Sequence, residues 1–238
     1  MNILRLFAVV ALGTALLAAG TACKKDKDDP IPVDLSASLP EPGVVEITVS
    51  GQTFSYRWDG TLLTPVVPFE WEKVPDGSVE FHAKFTPDAA GTPEKDIRTA
   101  SLTVEHGKPI RFTDFTPIHA RITVTLIPGE GYTQSELNAA TVSFHGISDP
   151  SCSFTGRVCA GIFKPKTSLT DDHKIGVCVG SDDRSFLMTD FSFEGVAWGA
   201  LEANQLYEVE IELSRTASTT LQLIVKPWKK VNGTGEFE

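Results

Sequence analysis

The stretch Tyr207-Glu208-Val209-Glu210-Ile211-Glu212-Leu213 alternates apolar and acidic side chains along its whole length. Because successive side chains of a β-strand point to opposite faces of a sheet, this period of two predicts a strand with one buried and one solvated face. A slip of one residue would bury the glutamates, so the register of the strand is strongly specified. The stretch therefore predicts a sheet whose apolar face covers a hydrophobic core.

Similar alternation marks other short runs, which Gly, Pro and Asp separate from one another. The clearest are residues 45–49, 79–85, 122–126 and 221–225. Many short strands at this spacing predict an all-β chain built from sandwiches. We expect an N-terminal sandwich at residues 43–116 and a C-terminal sandwich at residues 117–238, because a new series of strands follows Pro117. Thr133 to Glu136 matches a capping box and predicts one short helical turn.

The composition excludes several classes of function. The chain has 21 Lys and Arg against 31 Asp and Glu, for a formal net charge of -10, so it repels phosphate backbones and is not expected to bind nucleic acid. It also lacks paired Cys-x-x-Cys spacing, a glycine-rich loop before a helix and a Gly-x-Ser-x-Gly motif. We therefore predict no metal, no cofactor and no enzymatic activity.

Residues 1–22 have the order of a lipoprotein signal peptide. A basic residue precedes an apolar stretch at residues 6–19, which is shorter than the ~20 residues that span a bilayer as a helix. The small residues before Cys23 resemble a lipobox, although Gly20 stands where leucine is usual, and this predicts lipidation of Cys23. Residues 23–42 are predicted to form a tether, because residues 24–30 are charged and cannot pack.

The charged run directly after Cys23 is open to two interpretations. It is either a plain spacer or, as we favour, an export signal, since it resembles the Lys/Asp-rich signal that sends lipoproteins of Bacteroidota to the outer face of the cell outer membrane. Three further cysteines, Cys152, Cys159 and Cys178, follow in the body of the chain. An odd number allows at most one internal disulfide, whose pairing stays open, and free thiols are the alternative.

Two acidic clusters and four tryptophans are further candidates for a site. The clusters at residues 171–173 and 182–183 could bind a cation, but their polar neighbours favour solvated turns. The tryptophans could stack on sugar rings or pack in the core, and core packing is favoured for them as a group. Trp198, between two glycines, is the best candidate for an exposed aromatic side chain.

Three segments carry recognisable strand motifs in order along the chain. Residues 54–87 contain tryptophan-bearing strands and then F-x-A-x-x-x-P; residues 119–142 begin with HAR and contain GEGYT; residues 207–235 hold two closing strands and the pair Pro227-Trp228. Together these segments resemble the fimbrillin family of Bacteroidota. The resemblance implies two tandem transthyretin-like β-sandwiches that join other pilus subunits by strand exchange, in adhesion at the outer membrane or in the fimbrium.

The resemblance also implies a site of processing. Stalk subunits of the family are cut after an Arg or Lys by a trypsin-like protease, and Arg57 is the candidate here, because a cut after it would release residues 44–49. The favoured alternative is that Arg57 is an ordinary strand residue and that the chain stays anchored. A different function also remains open, in which a monomeric lipoprotein of the outer membrane binds a glycan or host-surface ligand through exposed aromatic side chains such as Trp198.

Overall fold

β-Strands are the dominant secondary structure of the described residues. The computed structural model describes residues 33–35, 39–67, 69–148, 150–216 and 218–228, and strands dominate throughout these ranges. The all-β class predicted from the alternating pattern is confirmed. No helix within the described ranges has the length and apolar character needed to cross a bilayer. Cys23 and the signal peptide predicted at residues 1–22 lie outside them.

The N-terminal part, residues 39–117, is built on one large sheet. Its strands are β2 (Gly43–Val49), β3 (Gln52–Trp58), β4 (Leu63–Val67), β5 (Ser78–Pro87), β6 (Arg98–Glu105) and β8 (Thr116–Pro117). They are ordered β4-β3-β2-β5-β6-β8, so β2 lies inside the sheet and β4 at its edge. A short parallel pair, β1 (Val33–Leu35) and β7 (Ile110–Phe112), accompanies this sheet, and a 3-10 turn spans Trp71–Lys73.

The C-terminal part, residues 118–228, contains two four-stranded sheets. The strands of the first are β9 (Ala120–Pro128), β12 (Val158–Phe163), β17 (Gln205–Leu213) and β18 (Thr220–Pro227), in the order β12-β9-β17-β18. Those of the second are β10 (Thr141–His145), β11 (Cys152–Thr155), β13 (Lys174–Val179) and β14 (Asp182–Leu187), in the order β11-β10-β13-β14. A hairpin of β15 (Ser192–Phe193) and β16 (Val196–Ala197), helix α1 (Gln134–Asn138) and a 3-10 turn (Met188–Asp190) complete this part.

The register of β17 follows its alternating sequence. Val209 lies opposite Val124 of the parallel strand β9 and opposite Leu223 of the antiparallel strand β18. Val209 and Val124 are fully buried, whereas Glu208 and Glu210 are partly exposed on the other face. The predicted division into an apolar and an acidic face is confirmed.

The predicted helical turn is also confirmed as a capping box at the start of α1. The Glu136 backbone N–H donates to the Thr133 hydroxyl at 3.3 Å, and the Thr133 N–H donates to the Glu136 carboxylate at 2.8 Å. These bonds satisfy donors that a helix start leaves unpaired. The turn buries Leu137 completely, so it closes over the C-terminal core.

The buried apolar side chains form two separate groups. One group extends from Leu39 to Phe115 and the other from Ala120 to Leu223, so the boundary predicted near residue 117 falls between them. Whether each group is an independent folding domain stays a prediction. Packed structure begins before residue 43, inside the segment predicted as a tether, because β1 pairs with β7 and Leu39 is buried.

Candidate functional site

Arg57, the predicted cleavage residue, lies within the N-terminal sheet. Its strand β3 is paired on both sides, with Arg57 opposite Val44 of β2 and Thr64 of β4. The side chain is half exposed, and both terminal nitrogens of its guanidinium donate to the carboxylate of Asp88, with 2.7 Å between Nη1 and Oδ1. These bonds hold the pKa of the Asp88 carboxyl below its usual value.

This position makes Arg57 a poor substrate in the folded chain. A protease must draw an extended segment into its active site, so β3 would first have to leave β4 or β2. A cut after Arg57 would also sever β2 and nearly all of β3 from the rest of the chain, although β2 lies inside the sheet and buries Val45 and Ile47 completely. The surroundings therefore fit the favoured alternative, an ordinary strand arginine, and cleavage after Arg57 stays a prediction.

Trp198, the predicted exposed aromatic residue, is buried, so that prediction was wrong. Its side chain is only 3% exposed, and its ring stacks on Tyr207 with 5.0 Å between the ring centroids and 25° between the planes. Its indole N–H donates to the carbonyl of Ala200 at 2.9 Å. The glycine at position 195, with φ of +80°, turns the chain between β15 and β16, so the segment returns to the core. The glycan-binding hypothesis thereby loses the residue on which it was based.

The other tryptophans confirm the favoured interpretation of core packing. Trp58, Trp71 and Trp228 are 8%, 7% and 7% exposed, respectively. Trp71 packs edge-on against Phe69 and Phe81, with ring centroids 4.9 Å and 5.6 Å apart. Edge-to-face packing of this kind is favourable beyond the apolar area that it buries.

The two acidic clusters differ in their surroundings. Asp171 and Asp172 are exposed in a turn, as predicted, but the prediction was wrong for His173, which is buried and accepts a hydrogen bond at Nδ1 from the Thr170 N–H at 2.8 Å. The prediction of a solvated turn at residues 182–183 was wrong, because Asp182 begins β14, pairs with Arg184 at 3.0 Å and accepts a hydrogen bond from the hydroxyl of Tyr132. The hydrogen bond from Tyr132, together with the nearby Arg184 guanidinium, lowers the pKa of the Asp182 carboxyl. No three His, Cys, Asp or Glu residues in the described ranges converge as metal ligands.

The three cysteines of the body are free thiols, and the structure separates them. Cys152 packs against the C-terminal core on β11, whereas Cys178 alternates with buried neighbours on β13 and therefore lies on the outer face of that sheet. Cys159 belongs to the other sheet and donates its S–H to the carbonyl of Gly156 at 3.2 Å. Burial raises the pKa of the thiols of Cys152 and Cys159, which slows their reaction with oxidants.

The pairing of β5 with β6 creates one constellation that the sequence did not indicate. The hydroxyl of Ser101 lies 2.8 Å from Nδ1 of His82, and the carboxylate of Glu80 lies 3.7 Å from Nε2 of the same ring. The His82 and Glu80 side chains are 58% and 63% exposed, so water screens their interaction. A catalytic serine needs a base whose ring a third group holds in place, and the exposed Glu80 carboxylate at 3.7 Å does not do this, so the arrangement gives no support to hydrolysis.

Exposed apolar side chains concentrate at the edge of the N-terminal sheet. Leu62, Val66 and Val67, in and beside the edge strand β4, are 62%, 65% and 48% exposed. Ile224 of β18, the edge strand of a C-terminal sheet, is 43% exposed. Edge strands carry backbone groups that can pair with another chain, and exposed apolar side chains add affinity to such pairing. These two edges are the candidate interaction surfaces.

No protein-family model and no curated protein matches the sequence. Solved structures do match the fold. A candidate cell adhesion protein from Bacteroides uniformis aligns with a TM-score of 0.64 and 12% identity, over 84% of this chain and 98% of that chain. Another from Bacteroides ovatus gives a TM-score of 0.59 and 13% identity, over 82% and 90%.

A pilus protein has the same fold. The tip fimbrial protein Mfa3 from Porphyromonas gingivalis, with a C-terminal truncation, aligns with a TM-score of 0.55 and 8% identity, over 82% of this chain and 97% of that chain. The match extends over nearly the whole length of that truncated chain. The chain therefore has the fold of these adhesion and fimbrial proteins of Bacteroidota.

Proposed function

We propose that the chain is a pilus subunit or pilus-associated adhesion protein on the cell surface. The observation that carries this proposal is the fold, which the chain shares with a C-terminally truncated tip fimbrial protein over 97% of that truncated chain. The all-β body and the exposed apolar side chains at its edges suit a protein that contacts other molecules through strands and faces.

Assembly is proposed to occur by strand exchange. An extended strand of a neighbouring subunit would pair its backbone with an edge and place alternate side chains against apolar surface. The edge at β4 offers Val66 and Val67, and the edge at β18 offers Ile224. Pro65 lacks a backbone N–H and interrupts pairing along β4, so the edge at β18 is the more continuous template.

Within a pilus the chain is proposed to act as an anchored or terminal subunit rather than in the stalk. Stalk assembly in the fimbrillin-like scheme begins with proteolysis, and Arg57 lies in a strand that is paired on both sides. An uncut chain would keep the lipid predicted on Cys23 and stay in the outer membrane. Both the anchor and the membrane location are part of the proposal.

Isolation of filaments tests the function. An antibody against the chain is expected to decorate filaments in immunogold micrographs of intact cells, and the protein is expected to co-purify with sheared filaments. A strain that lacks the gene controls for specificity. The proposal fails if the protein occurs only as a monomer on the cell surface, with unlabelled filaments; glycan arrays would then test the alternative of a glycan-binding lipoprotein.

Mass spectrometry of the protein's N-terminus tests the anchored state. The expected result is a lipidated start at Cys23 in cells that make the trypsin-like protease. A start at Trp58 would instead show that Arg57 is cut. Two variants sharpen the test: Asp88→Ala removes the ion pair and leaves the strand, whereas Arg57→Ala removes the candidate cleavage residue itself.

A further inference from the structure

The ring of Trp228 has two arginines near it, which come from different parts of the chain. Its side chain is 7% exposed, and the guanidinium carbons of Arg98 and Arg121 each lie 5.9 Å from the centre of its ring. Arg98 begins β6 in the N-terminal part, and Arg121 belongs to β9 in the C-terminal part. A guanidinium at this distance from an indole ring is attracted by its π-electrons. One aromatic ring thus contacts both parts.

Fixed groups hold Trp228 and Arg98 in place. Arg98 is 3% exposed, and the carboxylate of Asp96 accepts hydrogen bonds from its side chain, the shortest at 2.7 Å. A buried charge persists only with such a partner, so the arginine has one defined position. Within the C-terminal part, the backbone N–H of Trp228 donates to the carbonyl of Asn204 at 2.8 Å, and the N–H of Asn204 donates to the carbonyl of His119 at 2.9 Å.

The loop before β6 adds backbone contacts to the same region. The N–H of Ile162 in the edge strand β12 donates to the carbonyl of Thr92 at 2.8 Å, and the N–H of Glu94 donates to the carbonyl of Ile162 at 3.0 Å. The ring nitrogen Nδ1 of His119 donates to the carbonyl of Lys95 at 2.9 Å. These contacts, with those around Trp228, form what we call the junction. Within it, the chain's own loop covers part of the β12 edge.

We propose that Trp228 is a clasp that couples the last strand to the relative orientation of the two parts. Trp228 directly follows β18, which pairs with β17 on one side and forms the edge of its sheet. When β18 separates from β17, the indole ring leaves Arg98 and Arg121, and the junction keeps only its loop contacts. The pairing of β18 with β17 therefore controls how firmly the two parts are held together. This inference concerns the folded chain and does not rest on the proposed function.

Scattering and calorimetry together test the clasp. Each sample is the chain from residue 23 onward, which lacks the predicted signal peptide, with Cys23→Ser to remove the thiol at its start. The parent chain is expected to unfold in a single transition. Trp228→Ala is expected to increase the radius of gyration in small-angle X-ray scattering and to split the transition in two, separated by more than about 5 °C. Trp228→Phe, which keeps an aromatic face, is expected to give an intermediate radius.

A core substitution away from the junction provides the control. Val177→Ala, at a buried position of β13, is expected to lower the midpoint of unfolding without changing the radius or the number of transitions. The proposal is wrong if Trp228→Ala keeps the parent radius and a single transition, or if the parent already unfolds in two. If Trp228→Ala fails to fold, Arg121→Met replaces it as the test, because methionine keeps the aliphatic packing and removes one cation. An unchanged radius of gyration in Arg121→Met also overturns the proposal.

Discussion

Replacement of Trp198 by alanine is expected to lower the free energy of unfolding by about 4 kcal/mol. A buried tryptophan removes roughly 150–250 Å² from water, which at about 25 cal/mol per Å² gives an upper bound of about 4–6 kcal/mol. The ring leaves its stack on Tyr207, and the carbonyl of Ala200 loses its donor, at a cost of about 1 kcal/mol. The measured range for such substitutions, about 3–5 kcal/mol, includes incomplete relaxation of the cavity.

Urea titration followed by far-ultraviolet circular dichroism measures this loss without relying on tryptophan fluorescence. The matched control is Val196→Ala in the same hairpin, where the side chain is 71% exposed and the expected change is within about 0.5 kcal/mol. A loss below about 1 kcal/mol for Trp198→Ala, or equal losses for the two variants, would refute the placement of the indole in the core. A sugar-binding role for Trp198 would then become open again.

Three further predictions concern surface and polar groups. The pKa of the Asp182 carboxyl is lowered below the ordinary value of 3.8 in the folded chain. The ionised carboxylate therefore contributes stability above pH 3.8, and this contribution is lost as the pH falls through the folded-state pKa. Asp182→Asn should lower the free energy of unfolding at pH 7 and make that free energy depend less on pH in the acid range. Thr133→Ala should cost about 1 kcal/mol in urea titration through loss of the N-cap, whereas the exposed control Ser135→Ala should cost less than about 0.5 kcal/mol. A thiol reagent should label Cys178 rapidly and the 4%-exposed Cys159 only on unfolding, and equal rates would contradict the structure.

The inner strands could be predicted from the sequence because a strand with one buried face alternates apolar and polar side chains. The alternating residues of β9 and β17 identified their buried faces correctly. Their pairing could not be predicted in the same way. Val124 lies opposite Val209 in a parallel arrangement, and only the tertiary fold brings these two distant segments together.

The errors share a physical cause, which is that the deciding partner is remote in the sequence. Trp198 was predicted to be exposed from its flanking glycines, but its ring stacks on Tyr207, which lies on the next strand, β17. Asp182 was assigned to a solvated turn, but it accepts a hydrogen bond from Tyr132, which is 50 residues away. Local composition indicates where a turn is favourable, whereas the surroundings of a polar or aromatic group depend on contacts that composition does not contain.

The place where a partner strand can enter the N-terminal part depends on which strand can leave at low cost. Release of β2 would expose Val45, Ile47 and Val49, which are almost completely buried, at roughly 1.5–3 kcal/mol each, or about 5–9 kcal/mol together. That is comparable to the whole stability of a typical domain, about 5–15 kcal/mol. The edge strand β4 has mostly exposed side chains and pairs only with β3, so its release costs far less. A cut after Arg57 leaves both β2 and residues 52–57 of β3 on the released fragment. A chain that loses this fragment should therefore lose its N-terminal fold unless partner strands replace both, whereas exchange at the β4 edge would leave the core intact.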